Sequence, residues 1–319
     1  MERSFVVLAS TAYAGSTLLS FLLGAHPEIA TTSDVSGARR EARMDEFECS
    51  CQKRMVDCDF WRAVTAAMRA RGFADFELAN FRLGFDYLGP GNRSRALVGA
   101  LPVPALESIR DALTAAIPGH RARMRTIAER NRVFAEVVLE LTRARVFVDA
   151  SKERMRPLHL FRLLGPAMDV RVIHLVRDVR GVVESAIRRA KKPGLDPESA
   201  ARNWAGTNAI ILRNLDAIPP ERRITVRYED LCRDPDATLA GLFGFCGVDP
   251  SIHVADVAGT EQHLLGNRMR LGGVEEIRLD ERWRAALDGR DLAAISRTAG
   301  AVHARLYPDV EPLAAGAAG

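Results

Sequence analysis

The sequence predicts an α/β domain built on a doubly wound, mostly parallel sheet, and three observations carry that expectation. Four short runs are almost continuously apolar: SFVVLA (residues 4–9), RVFVDA (145–150), VRVIHLV (170–176) and RITVRY (223–228). Strands covered on both faces read this way, because neither face needs polar residues for water. Helix-like segments separate the runs, and strand alternating with helix is the pattern of a parallel sheet. The first run also ends in a small-residue loop that opens at once into a helix. That construction turns free backbone N–H groups and a helix dipole toward an anion. In such folds ligands sit at the carboxyl ends of the strands.

The elements follow in order. STLLSFLLGAH (16–26) is the helix after the first strand. RGVVESAIRRA (180–190) follows the third, and ESAARNWAGTNAIILRNLDAI (198–218) is long enough for about six turns. DATLAGLFGFCGV (236–248) follows the fourth. Trp204 and the run 210–212 are core candidates, as are Cys232 and Cys246 among apolar neighbours. Between 31 and 143 the rhythm breaks. This stretch holds a Cys/Arg-rich segment, a Gly/Pro/Asn turn at 88–95 and two helical patterns, 104–117 and 121–143. A break in the middle of the second is allowed. The stretch reads as a large helical insertion covering the site. Residues 312–319, PLAAGAAG, read as a frayed tail.

Composition narrows the function classes. Hydrophobic residues at 47% and charged residues at 27% are ordinary for a water-soluble domain. A net charge of +4 suits an anionic ligand and does not argue for nucleic acid. No apolar stretch approaches a membrane span, and the interrupted N-terminal run does not read as a signal peptide, so a cytoplasmic location is expected. No oligomeric state is legible.

The loop itself is unusual. No lysine or arginine lies between residues 4 and 29. The nucleotide-kinase loop G-x-x-x-x-G-K-[ST], laid on Gly15 and Thr17, would need Gly at Ser10 and Lys at Ser16, and both fail. What remains is the backbone of Gly15, Ser16, Thr17 and Leu18, with two hydroxyls as further donors. A capped helix after a buried strand would look the same. In HLVRDVRGVVESAIRR, Arg177 stands at the strand's carboxyl end and Ser185 eight residues on, so an anion fits between strand end and helix. Ordinary surface arginines at a helix start are the competing reading.

Together these segments resemble the PAPS-dependent sulfotransferase family, in its carbohydrate-type and bacterial branch. YAGST (13–17) is similar to the family's R-[ST]-G-[ST]-[ST] loop, which holds the 5′-phosphosulfate. LVRDVRGVVES (175–185) is similar to its 3′-phosphate segment. VRYEDLCRDPDATLAGLFGFCGV (226–248) resembles the family's Y-E-D-L-x-x-D-P segment. HLLGNRMR (263–270) and LDERW (279–283) resemble the late elements that close over the nucleotide. The resemblance implies a three-layer fold of the P-loop-NTPase kind, with a central, mostly parallel sheet and the insertion at 31–143, in one domain over 1–311. It implies PAPS as co-substrate, PAP as product and no required metal. It also implies nucleotide contacts from Tyr13, Ala14, Gly15, Ser16, Thr17, Leu18, Arg177, Ser185, Tyr228, Gly266, Asn267, Arg268 and Arg270. The acceptor would be a hydroxyl of a carbohydrate or small metabolite.

Tyr13 and Ala14 depart from the family's basic and hydroxyl residues. The missing cation is expected from Lys152, in the D-[AS]-S-K-like segment DASK at 149–152. Asp34 is the candidate base and His26 its competitor, although an N-cap and a helix-end residue are the plainer readings. A non-catalytic PAP- or PAPS-binding protein stays open because of Tyr13, and a small-molecule kinase remains as a weaker alternative. Arg39, Arg40, Arg43 and Arg54 could bind an anionic acceptor or form a solvated face, and Arg180 is a further candidate ligand contact. Cys49, Cys51 and Cys58 lie within ten residues. They allow zinc with a fourth ligand, a local disulfide or three unpaired thiols. No second C-x-x-C, no H-x-x-x-H and no H-E-x-x-H accompanies them, so no metal site is assigned.

Overall fold

The computed structural model describes residues 3–35, 47–85, 106, 109–110, 113–114, 116–190, 194–252, 261–266, 269–272, 277–310 and 313. Within them lie strands β1 (Ser4–Ser10), β2 (Ile29–Ser33), β3 (Val146–Asp149), β4 (Asp169–Val176) and β5 (Arg223–Arg227). They form one sheet in the order β2-β3-β1-β4-β5, and every neighbouring pair is parallel.

The apolar runs are continuous because both faces are covered. Phe5, Val7 and Ala9 of β1 join one core with Phe147, Val170 and Val172. Val6 and Leu8 join the other with Val148, Ile173 and Leu175. Helix α1 (Ser16–Gly24) packs its leucines on the second core. Helices α2 (Asp59–Ala70), α3 (Pro118–Thr142) and α4 (Arg156–Leu164) cover the first. Helices α5 (Val179–Arg188) and α6 (Pro197–Asp216) follow β4, α7 (Tyr228–Arg233) and α8 (Pro235–Cys246) follow β5, and α9 (Met269–Gly272), α10 (Trp283–Ala286) and α11 (Gly289–Leu306) close the chain. Trp204 and Ile211 are buried as expected.

Two expectations change. Strand β2 was not foreseen, and it takes Thr31–Ser33 out of the expected insertion. Its IATTS sequence is short and hydroxyl-rich, yet all five residues are buried and the strand pairs with β3. Helix α3 runs unbroken. Its apolar residues meet α2 and the sheet, so tertiary packing sustains it through a polar stretch. The turn at 88–95, the arginines at 39, 40 and 43, half of 104–117 and nearly all of the tail lie outside the described residues.

The crossovers fix where a ligand can sit. From β1 the chain passes through α1 to the far edge strand β2. From β4 it passes through α5 and α6 to β5, on the opposite edge. Adjacent strands whose connections leave in opposite directions open a crevice at their carboxyl ends. Here that crevice lies between the loop after β1 and the end of β4. Among the described residues, no helix is long and apolar enough to cross a membrane.

Candidate nucleotide and acceptor site

Each strand delivers one candidate residue at its carboxyl end. In sheet order these are Asp34 after β2, Lys152 after β3, the 13–18 loop after β1, Arg177 after β4 and Tyr228 after β5. With strands about 4.8 Å apart, the row spans roughly 19 Å.

The loop is shaped by its backbone. Tyr13 (φ 65°) and Gly15 (φ 94°) both take left-handed conformations, and Gly15 caps α1. A Cβ at Gly15 would stand 2.6 Å from Tyr228 Cδ2, so glycine is required both for the conformation and for the close approach. Ala14, Ser16 and Thr17 are buried behind the loop.

Arg177 is the hub. Its Nη1 donates to the Tyr13 carbonyl (3.2 Å) and faces Ser185 Oγ at 3.5 Å. Its guanidinium lies 4.6 Å from the Tyr228 ring centroid, a cation–π contact that holds the side chain flat. Nη2 donates to the Asp280 carbonyl (3.0 Å) and pairs with Asp280 Oδ2 (3.2 Å). The Arg282 hydrogen bonds, with Arg177 alongside, hold the Asp280 carboxyl well below the usual carboxylate range. Tyr228 is buried, which pushes its phenol up, and it donates to the Arg278 carbonyl (3.1 Å).

These groups line a cavity of about 580 Å³ that includes Tyr13, Gly15, Leu18, Arg177, Ser185 and Tyr228. Arg189, Arg278 and Arg282 also line it; sequence reasoning missed their part, although Arg278 directly precedes the LDERW segment and Arg282 lies within it. Arg180 turns away. It chelates Asp178 (2.9 and 2.6 Å) and lies over Trp283. Burial opposes ionisation of Asp178, but hydrogen bonds from His303 and Arg180 hold its carboxyl far below the ordinary value.

On the other side of the loop, Lys152 Nζ stands 3.5 Å from Asp34 Oδ2. A register shift between Thr31 and Ser33, with Ser33 at φ 59°, ends β2 and sets up Asp34. The shifted Thr32 carbonyl accepts from Leu265 N (3.0 Å), which brings Gly266 against Asp34. Among the described residues, neither Lys152 nor Asp34 lines the 580 Å³ cavity. The loop carrying Lys152 is tied down by a fully buried pair. Arg156 Nε meets Asp149 Oδ2 at 2.5 Å, and Arg156 also donates to the Leu83 carbonyl (2.8 Å) and to Asn131 Oδ1. Asp149 is thus a structural anchor.

Two expected residues fall elsewhere. His26 lies beyond the far end of α1, about 13 Å along the helix from the loop. Its Nδ1 accepts from Glu28 N, its Nε2 faces the Asp249 carbonyl, and its ring packs on Phe243. That is the amino-terminal end of the strands, and His26 is not brought to the candidate site. Arg270 is buried, donating to the carbonyls of Glu48 and Gly266 and covering Phe47, so it braces the insertion. Asn267 and Arg268 lie outside the described residues; Met269, beside them, lines the cavity.

The cysteine segment gains a partner. Cys49, Cys51 and Cys58 converge with His263, and the four donor atoms lie within 4.8 Å of one another. No fourth ligand is legible from local spacing, because His263 is 205 residues beyond Cys58.

Residues 102–251 match the family model described as "Sulfotransferase family". That range holds Lys152, Arg177, Ser185 and Tyr228. It excludes the 13–18 loop, Asp34 and the cysteine cluster at 49–58. No curated protein matches the chain. Among solved structures, the sulfotransferase domain of the Synechococcus PCC 7002 olefin synthase is 20% identical, over 93% of this chain and 95% of that one, with a TM-score of 0.48. The sulfotransferase domain from the curacin biosynthetic pathway is 18% identical, over 89% of each, with a TM-score of 0.46. Sulfotransferase STF9 from Mycobacterium avium is 14% identical, over 97% of this chain and 78% of that one, with a TM-score of 0.45.

Proposed function

We propose that this chain transfers a sulfuryl group from PAPS to a hydroxyl of a carbohydrate or small hydroxylated metabolite. One observation carries the reading: the glycine loop after β1, Arg177 and Ser185 all face one cavity of about 580 Å³. The loop's backbone donors and the α1 dipole suit a phosphosulfate, and Arg177 with Ser185 suits a second phosphate. The family match over 102–251 supports the same reaction class.

In this reading the nucleotide occupies the β1, β4 and β5 ends and the acceptor the β2 and β3 ends. The acceptor oxygen bonds to sulfur as the bond from sulfur to the bridging oxygen breaks. Asp34 takes the acceptor's proton. Lys152, one strand from the loop, offsets the charge that gathers on the bridging oxygen, the role Tyr13 cannot fill. The 3.5 Å approach of Lys152 to Asp34, at the β3 and β2 ends, supports pairing them in this role.

Tyr13 favours a second reading, a protein that binds PAP or PAPS without turnover. Thermal unfolding with PAP, ADP and ATP tests the nucleotide site. PAP at about 100 times its Kd should add about 2.7 kcal/mol. Equal or greater stabilisation by ATP would overturn the PAPS assignment. An assay of PAPS consumption with mixed acceptors then separates enzyme from binder.

A further inference from the structure

We propose that Cys49, Cys51, Cys58 and His263 form a structural zinc site that clips the insertion to the segment carrying Gly266. The donor set is soft and complete: three thiolates and one imidazole make a closed Cys₃His tetrahedron, with no position left for a substrate.

The spacing within the cluster carries the inference. Zinc bonds about 2.3 Å from sulfur and about 2.0–2.1 Å from nitrogen, set tetrahedrally, put sulfurs about 3.8 Å apart and sulfur about 3.5 Å from nitrogen. Cys51 Sγ and Cys58 Sγ are 3.6 Å apart, and His263 Nδ1 lies 3.6 Å from Cys49 Sγ and 3.5 Å from Cys58 Sγ. A disulfide would draw two sulfurs to about 2.05 Å and leave the third thiol and the imidazole without purpose.

Local structure presents the ligands from three directions. Cys49 and Cys51 sit on a tight turn in which Gln52 N donates to the Cys49 carbonyl and Gln52 takes φ 64°. Cys58 is the N-cap of α2, where a helix dipole favours a thiolate. His263 stacks on Phe60 with centroids 4.4 Å apart, which fixes its plane, and its Nε2 points toward Glu261 at 3.7 Å. A carboxylate behind the distal nitrogen is the common way to orient a metal-bound imidazole.

The clip has a mechanical consequence. Ser50 is laced to the same distant segment: its N–H reaches the Leu264 carbonyl (3.3 Å), its hydroxyl bonds the Gln262 carbonyl, and Leu264 N donates back (2.7 Å). The next residue, Leu265, bonds Thr32, and Gly266 abuts Asp34. Metal binding releases the thiol protons and couples the insertion to the end of β2. The Arg177 cavity lies on the other side of the loop and does not share these ligands.

The test is metal analysis and cobalt exchange on the full-length purified chain, with no assay of transfer. The expected result is about one zinc per chain. Replacement by Co²⁺ should give intense thiolate-to-cobalt absorption with the visible bands of a tetrahedral ion. C51S and His263→Gln should each weaken cobalt affinity at least tenfold. Should either variant fail to fold, titration of the intact metal-stripped chain still decides. Purified protein that is folded without stoichiometric metal and gives no thiolate–cobalt band overturns the site. A Cys51–Cys58 disulfide found by mass mapping overturns it equally.

Discussion

Lys152 and Asp34 meet at 3.5 Å across the ends of neighbouring strands β3 and β2, although 118 residues separate them in the chain. Lys152 stands one strand from the glycine loop and Asp34 two, on the side away from Arg177. If the pair serves transfer, its two members should fail in distinguishable ways. Lys152→Ala should lower turnover by on the order of 10²-fold, the scale of one lost transition-state donor. Asp34→Asn should abolish transfer. Asp34→Asn should leave stabilisation by PAP unchanged, because Asp34 does not line the 580 Å³ cavity and in this reading meets only the acceptor. Near-normal turnover in either variant would remove that residue from the mechanism.

Asp280 sits where an anion would sit. Its carboxylate holds Arg177 Nη2 at 3.2 Å, and a phosphate approaching Arg177 must compete with it. Asp280→Asn keeps the shape and removes the charge. PAP should then bind up to about tenfold tighter, roughly 1.4 kcal/mol, by calorimetry. Weaker binding would mean that Asp280 orients Arg177 for the ligand instead.

Gly15 tolerates no side chain. Alanine there adds a left-handed strain of roughly 1–2 kcal/mol, and its Cβ meets Tyr228 at 2.6 Å. Gly15→Ala should lower the melting temperature and remove PAP stabilisation together. Intact PAP binding in this variant would show that the loop does not form the anion cradle.

The Asp149–Arg156 pair should be costly to split. Both side chains are almost wholly buried, and the pair brackets the segment that carries Lys152. Arg156→Met leaves an unpaired buried carboxylate and should cost about 3–5 kcal/mol in urea unfolding. A loss under about 1 kcal/mol would contradict the buried-pair description.

His174 makes stability depend on pH. Burial pushes its pKa down to about 4, against the opposing effect of its hydrogen bond to Asn208. Its Nε2 faces Asn208 Oδ1 at 3.0 Å, and Nδ1 is buried without a partner. The unfolded chain takes up a proton near pH 6.5, whereas the folded chain resists until about 4. The neutral histidine's contribution is therefore complete above about 6.5 and is lost as pH falls toward 4. Between about pH 6.5 and about pH 5 the protein should lose on the order of 2 kcal/mol more than His174→Gln. Parallel curves for the two would exclude His174 as the source.

Much was legible along the chain, and each legible feature is local. Four strands declared themselves because a strand buried on both faces must be apolar at successive positions. The glycine loop before α1 was readable because Gly15 and the start of α1 are adjacent in sequence. Arg177 and Ser185 were readable because one strand end and two helical turns fix their separation. Tertiary structure decided the rest. β2 is a strand because β3 and the helices above it bury its hydroxyl-rich sequence. His26 left the site because a nine-residue helix carries the chain back to the amino-terminal ends of the strands. Asp280 reached Arg177, Lys152 reached Asp34 and His263 reached three cysteines through contacts spanning 103 to 214 residues. Periodicity and spacing report on neighbours within a few turns. Contacts at such separations exist only once the parallel sheet has aligned its strand ends.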